Sequence, residues 1–314
     1  MRSEITRRAF RTKRTGLRAS VHLLAGLVLA GCGDPADRSV ELGDRLLAVG
    51  ETDGAIAEYK LARRMRGDED ALILRLGHAY AERGDVDEAL AFYEELAERE
   101  PRYRHQIASD LVRLASDARE RGAVENMSRS LQPVLAWGLG YVPPDLLRSL
   151  AEHYASDGDY TRSLSLYLAL LAETDAPEPS LLYRAARAYK ELGGCDRALP
   201  YFERYMDAAG RRDPDLPEAR YHYGDCLFVA ADEDRASGRP SAALEKLDRL
   251  IELGVPRTHM DEAHFFRGEM LLARGDTDAA LAAYNRVLQL NPSRTGALVR
   301  RADERIRQLR FGFE

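Results

Sequence analysis

The sequence predicts an all-α fold, a right-handed superhelical solenoid of about seven helix-turn-helix repeats with a C-terminal capping helix. The first observation is a pattern of large and small residues that returns every 34 to 44 residues along most of the chain. The second is a glycine turn near the middle of most copies, which separates two helical segments. The third is the composition. With 45% hydrophobic residues, 31% charged residues and three Cys, it excludes collagen-like, mucin-like, disordered and disulfide-rich chains.

The chain begins with a predicted signal peptide, residues 1–31. Its first 20 residues carry seven basic side chains against one acid, Glu4, and an apolar run follows at 21–30. That run is too short to cross a hydrocarbon core of ~30 Å as a helix, so a cleaved secretory signal is predicted instead of a membrane span. Residues 6–10, TRRAF, are similar to a twin-arginine export motif. Because Arg11 stands where a hydrophobic residue is expected, general secretion is the favoured route.

The apolar run ends in Leu29-Ala30-Gly31-Cys32, which resembles a bacterial lipobox. The resemblance implies that the Cys32 sulfur takes a diacylglyceryl group, and that its acyl chains hold the mature protein on a membrane. Residues 32–35 are then the lipidated Cys and a short linker. The alternative is an ordinary thiol beside a conventional cleavage site. Gly rather than Asp at position 33 favours the outer over the inner membrane, facing the periplasm, and an extracellular face stays open.

Removal of the signal changes the charge of the chain. The precursor has a net charge of -6, and the loss of seven basic residues and one acid leaves 39 basic and 51 acidic residues, a net charge of -12. Such a surface repels anionic polymers, which argues against a nucleic-acid partner.

Seven repeat units are predicted over residues 36–294, with starts at 36, 70, 108, 144, 179, 217 and 261. The clearest copy contains Leu76, Gly77, Tyr80, Gly84, Asp85, Ala89, Tyr93, Leu96 and Pro101. This spacing resembles the tetratricopeptide repeat family, and the resemblance covers nearly all of the mature chain. In such a hairpin, small residues let two antiparallel helices approach, large residues fill the seam, and the Gly-Asp turn joins a left-handed C-cap to an N-cap acid. One hairpin cannot bury all of its apolar side chains, so neighbouring hairpins must stack to cover them.

Two segments depart from the repeat. Unit six has an insert at 230–238 with three acids at 232–234. It either lengthens the first helix of that unit by ~10 Å, as an acidic ridge, or forms a flexible loop. Residues 295–314 are predicted to be the capping helix and tail, with one apolar stripe made of Leu298, Ala302, Ile306 and Leu309.

The sequence predicts no catalytic residue, metal site, cofactor or small-molecule substrate. It has no phosphate-binding glycine loop, nucleophile elbow, Cys-x-x-Cys or His-Glu-x-x-His motif. His259 and His264 are five residues apart and so face different sides of a helix. Cys195 and Cys226 fall in adjacent units, where either a disulfide in an oxidising compartment or two small buried side chains is compatible with the sequence.

The family resemblance implies a concave groove lined by the first helix of each unit. In units five to seven the groove positions are aromatic and basic: Tyr183, Arg187, Lys190, Tyr221, Phe228 and Phe265. Exposed aromatic residues beside Arg are typical of interaction hot spots, so protein or peptide partners are expected here. The alternative is that several of these rings pack against the neighbouring hairpin.

These features together predict a membrane-anchored scaffold or adaptor in the bacterial cell envelope. The resemblance in architecture points to assembly of outer-membrane, secretin or pilus-type complexes. A regulatory activator of a cell-wall enzyme is the alternative, and an enzyme with a cryptic site is a remote one.

Overall fold

A computed structural model of the protein describes residues 34–174 and 176–312, and all regular structure within these ranges is helical. The predicted signal peptide and Cys32 lie outside the described residues. The α-helices, named in chain order, are α1 Pro35–Ala48, α2 Thr52–Arg66, α3 Asp70–Arg83, α4 Val86–Arg99, α5 Arg104–Glu120, α6 Val124–Trp137, α7 Pro144–Ser156, α8 Tyr160–Ala172, α9 Pro179–Glu191, α10 Cys195–Ala208, α11 Leu216–Ala236, α12 Pro240–Leu253, α13 Met260–Ala273, α14 Thr277–Leu290 and α15 Ala297–Phe311.

The helices pack in successive pairs. Helix α1 contacts α2, α3 contacts α4, and so on to α13 with α14, while the second helix of each pair contacts the first helix of the next. The predicted all-α array of seven hairpins followed by a final helix is therefore confirmed. Across the described part of the chain, none of the helices is both long and apolar enough to span a bilayer.

The two helices of a hairpin approach closely where a glycine faces a tyrosine ring. Gly77 on α3 is buried against Tyr93 on α4, and a Cβ placed on Gly77 would lie 2.7 Å from the ring carbon Cε1. Only glycine leaves room for the ring at this separation. The same arrangement pairs Gly43 with Tyr59 and Gly268 with Tyr284.

The Gly-Asp turns have the predicted left-handed glycine, but only some have the predicted acidic cap. Gly84 has φ +87° and ends α3. The Asp159 and Asp276 carboxylates accept hydrogen bonds from the backbone N–H three residues later, at 3.1 and 3.2 Å. Asp85 makes no such cap, because its carboxylate binds the Arg83 guanidinium instead.

The insert of unit six extends the first helix of that unit. Helix α11 has 21 residues, whereas α9 and α13 have 13 and 14. Of the two alternatives, the structure therefore has the longer helix rather than the flexible loop. Asp234 does not contribute to an acidic ridge, because it is 2% exposed and accepts hydrogen bonds from Arg239 Nε at 2.8 Å and Lys246 Nζ at 2.6 Å. Burial alone would raise the pKa of Asp234, but these two cations outweigh it and hold the pKa below its usual range.

Helix α15 covers the open end of the last hairpin. Val299, Ala302 and Ile306 are buried, so the stripe is shifted slightly from the predicted one. Arg305 binds Glu269 on α13 through both Nε and Nη2, at 2.9 and 3.0 Å. The last helix is thus attached by apolar contacts and by a two-point ion pair.

Candidate partner-binding groove

The six predicted groove residues lie on the first helices of three neighbouring units. Helix α9 carries three of them, α11 two and α13 one. Helices α9 and α11 contact each other directly, and α12 packs against α13. The structure therefore brings the predicted positions of units five and six side by side.

Two of the predicted groove rings are core residues. Tyr183 is 5% exposed and packs against Tyr205 of α10, with ring centroids 5.2 Å apart. Phe265 is 1% exposed and lies between Tyr284 of α14 and Arg301 of α15, whose guanidinium sits 4.5 Å from the ring centroid. The expectation that these two rings offer contact surface does not hold, because the second helix of each hairpin and the final helix cover them.

Tyr221 and Phe228 remain available at the surface of α11. Tyr221 is 49% exposed and stands edge-on to His222, with centroids 5.8 Å apart. Phe228 is half-buried and stacks face to face on the His259 ring at 4.3 Å. His259 was missed by the sequence pattern because it belongs to the 3-10 turn before α13, outside the helical repeat positions. An exposed ring and a stacked pair thus lie along one helix.

The basic residues of the groove are engaged in ion pairs. Lys190 Nζ lies 3.2 Å from Asp225 Oδ2, and His259 Nε2 lies 3.0 Å from Asp225 Oδ1. Arg187 Nη1 is 3.6 Å from a carboxylate oxygen of Glu218. Burial alone would raise the pKa of Asp225, but the hydrogen bonds from His259 and Lys190 hold it below its usual range. Asp225 on α11 thereby links α9 of unit five to the turn that precedes α13.

A related ladder of ion pairs joins first helices along the array. Its members share one form, an acid on one first helix and an Arg on the next first helix or on the final helix. They are Asp44 with Arg75 at 2.9 Å, Glu82 with Arg113 at 2.8 Å, Glu152 with Arg184 at 3.2 Å, and Glu269 with Arg305 at 2.9 Å. Sequence reasoning treated each unit alone and missed these pairs. An acid followed by an Arg about one repeat later recurs in the sequence, and this spacing could have predicted the pairs.

The two remaining cysteines meet across the boundary between units five and six. Cys195 begins α10, Cys226 lies within α11, and the structure joins them as a disulfide with Cα atoms 4.9 Å apart. Both residues are buried. Of the two arrangements compatible with the sequence, the structure contains the bonded one.

His259 and His264 lie in different surroundings. His259 stacks on Phe228, whereas His264 lines a separate cleft of about 660 Å³ with Arg257 and Arg286. Desolvation, and then the charges of Arg286 and Arg267, lower the pKa of His264. Within 34–174 and 176–312, no three His, Cys, Asp or Glu side chains are grouped as metal ligands.

Several solved structures resemble the chain at low sequence identity. A tetratricopeptide repeat protein from Parabacteroides merdae is 16% identical over 88% of this chain and 99% of that chain, with a TM-score of 0.33. The TPR2AB domain of yeast Sti1 in complex with pHSP90 is 15% identical over 87% and 98%, with a TM-score of 0.33. MamA from Desulfovibrio magneticus RS-1 is 20% identical over 60% and 98%, with a TM-score of 0.32. No curated protein matches the sequence.

Family models match the chain more directly. Three of them, each described as tetratricopeptide repeat, match residues 46–109, 146–179, and 183–236 with 228–295. The matched segments amount to about two thirds of the chain and lie within the array of helical hairpins. The chain belongs to the tetratricopeptide repeat family.

Proposed function

We propose that this protein is a membrane-anchored scaffold of the bacterial envelope, which binds a protein or peptide partner through the first helices of units five and six. The fold supports an interaction role, since tetratricopeptide arrays are in general non-enzymatic interaction modules. The observation that carries the proposal is the exposed Tyr221 ring beside the Phe228 and His259 stack. The proposal assigns the chain no catalytic step.

The ion pairs of the groove indicate the chemistry of the partner. Lys190 and Arg187 already face Asp225 and Glu218, so a partner carboxylate would have to displace an internal acid. A clamp for a terminal carboxylate is therefore disfavoured. We expect the partner to contribute an apolar or aromatic side chain that packs on Tyr221, with polar contacts at the rim.

The anchor is proposed on the lipobox resemblance at Cys32. Acylation there would hold the array at a membrane facing the periplasm, with the outer membrane favoured by Gly33. Partners of such a scaffold would be envelope proteins, such as outer-membrane, secretin or pilus-type assemblies. A peptidoglycan synthase as the partner would support the activator function instead.

The groove is tested by site-specific cross-linking in the intact envelope. A photoreactive residue at Tyr221 should capture one envelope protein, whereas the same residue at Tyr141, which is 75% exposed and outside units five to seven, should not. The identity of the captured protein decides between assembly and activation. Equal capture from both positions would refute the groove assignment.

The anchor is tested by metabolic labelling with a fatty-acid analogue. Cys32→Ala should lose both the label and the membrane association of the protein. The matched control is the double variant Cys195→Ala with Cys226→Ala, which removes the other two cysteines and should keep the label. A labelled Cys32→Ala protein would show that acylation is elsewhere.

A further inference from the structure

The first repeat exposes a face that later repeats bury. On α3 of the second repeat, Leu72, Leu76 and Ala79 are buried under the first hairpin. The residues 34 positions earlier, on α1, have no preceding hairpin among the described residues and are exposed: Arg38, Leu42 and Arg45. Val49, one turn further on, is 73% exposed. The equivalent residue of the second repeat, Arg83, instead pairs with Asp53 of the first repeat.

Helix α2 contributes two more residues to this face. In the second repeat, Glu95 pairs with Arg63 of the first hairpin, and Arg99 donates to the Asp68 carbonyl at 3.0 Å. The corresponding residues of the first repeat, Leu61 and Met65, therefore point away from the array on the same side. Both are apolar, where the second repeat has charged residues.

These exposed residues of the first repeat together form what we call the N-terminal face: Arg38, Leu42, Arg45, Val49, Leu61 and Met65. Its four apolar members are 38% to 73% exposed. Among the described residues, neither guanidinium group forms a hydrogen bond or an ion pair, although Arg38 is near enough to Asp34 for their charges to interact. The terminal unit of a solenoid ordinarily has a polar outer face, and apolar side chains exposed together mark an interaction site.

We infer that the N-terminal face lies on the lipid bilayer, with its apolar side chains at the interface and Arg38 and Arg45 reaching the phosphate groups. We assign the bilayer to this face because Cys32, the proposed site of acylation, is close to it along the chain. Asp34 caps α1, so Cys32 is two residues away, a distance of at most ~7 Å along the chain. Helix α1 is ~21 Å long and can lie flat at that distance.

The charges around the start of α1 are compatible with this contact. Arg66 Nη2 lies 2.6 Å from both Asp34 Oδ2 and Asp37 Oδ1, so one cation faces the two acids nearest the anchor. Glu41 flanks the two arginines and offsets one of them. The N-terminal face and these neighbouring charges together are thus close to neutral, whereas the mature chain is predicted to carry -12. Long Arg side chains cover apolar surface with their stems while the charged group stays in the headgroup region.

The inference rests on the proposed acylation of Cys32, and the test separates the two. The full chain is matured in cells, its acylation is measured by mass spectrometry, and it is placed in vesicles of phosphatidylethanolamine with phosphatidylglycerol. A photoreactive residue at Leu42 or Met65 should form lipid adducts at least about tenfold more often than one at Leu192 of unit five, which is 43% exposed. Arg38→Glu with Arg45→Glu should lower the adduct yield about tenfold at unchanged acylation and helicity.

The other outcomes test the docking and the anchor separately. An acylated chain whose Leu42 position labels lipid no more than Leu192 overturns the docking inference and leaves the anchor standing. Cross-links between two copies through Leu42 would assign the face to a dimer. If the chain is not acylated, the anchor proposal fails. Lipid adducts at Leu42 in that chain would still support the docking, and their absence would end it.

Discussion

Gly77 faces the Tyr93 ring across the seam of the second repeat, and Gly77→Ala adds one methyl group at the point of closest approach. The new Cβ would lie 2.7 Å from Tyr93 Cε1 and 2.8 Å from Cδ1. The ring cannot easily move away, because Tyr93 is fully buried and its hydroxyl donates to Asp110 Oδ2 at 2.9 Å. The two helices must therefore separate or the ring must leave its position.

The expected loss of stability follows from two opposing effects. Overpacking a close-packed seam costs roughly 1–3 kcal/mol. Alanine is more favourable than glycine in a helix interior by about 1 kcal/mol, which offsets part of that cost. Because the Tyr93 ring is held by its hydrogen bond as well as by packing, we expect a cost in the upper part of that range, roughly 2–3 kcal/mol. After the offset of about 1 kcal/mol, the net loss of stability for Gly77→Ala is about 1–2 kcal/mol.

Urea unfolding followed by circular dichroism measures this change, and Gly54→Ala is the matched control. Gly54 lies in α2, where the nearest atom to an added Cβ is the terminal methyl Leu46 Cδ1 at 3.1 Å. That methyl belongs to a half-buried side chain and can shift, so the control should be neutral or up to about 1 kcal/mol more stable. A Gly77→Ala protein as stable as the wild type would refute the close approach of the two helices.

Three further predictions concern stability. Asp234→Asn should cost about 2 kcal/mol in urea unfolding, because it leaves the cations that this buried carboxylate binds without their acid; an unchanged midpoint would contradict the buried contact. Cys195→Ala with Cys226→Ala should cost about 3 kcal/mol, because the disulfide closes a loop with a sequence separation of 31; two free thiols in the unfolded, unreduced protein would disprove the bond. The hydrogen bond to Asp110 raises the pKa of His78, so that pair stabilises the fold fully below pH 6.5 and is lost as pH rises through the raised pKa. The melting-temperature advantage of the wild type over His78→Gln should therefore shrink as the pH rises above 6.5, and a constant difference would show that His78 does not titrate with the fold.

The hairpins could be predicted from sequence because each depends on residues within one repeat. Gly77 and Tyr93 belong to the same unit and recur at the same offset as Gly268 and Tyr284. A small residue facing a large one at fixed spacing is readable without knowledge of the neighbours. The length of α11 was left open, because the burial of Asp234 depends on cations supplied by the following turn and by α12.

The groove could be predicted only in part, because exposure there depends on neighbouring helices. Tyr183 and Tyr221 occupy the same position of their units, yet one is buried and the other is exposed. Phe265 is buried because α15 follows the last hairpin and places Arg301 over the ring. His259 reaches the groove from the 3-10 turn before α13, and the repeat positions used for the prediction cover helices only. Repeat position therefore predicts the side of the array, whereas packing decides which side chains a partner can reach.

Binding of a partner by units five and six through Tyr221 is tested by the affinity of the protein for the partner captured from that position. Tyr221→Ala should weaken binding at least about tenfold without changing the melting temperature, as expected for an aromatic hot spot. Tyr141→Ala, which removes a more exposed ring outside units five to seven, should bind as the wild type does. Equal dissociation constants for the wild type and Tyr221→Ala would contradict binding through Tyr221.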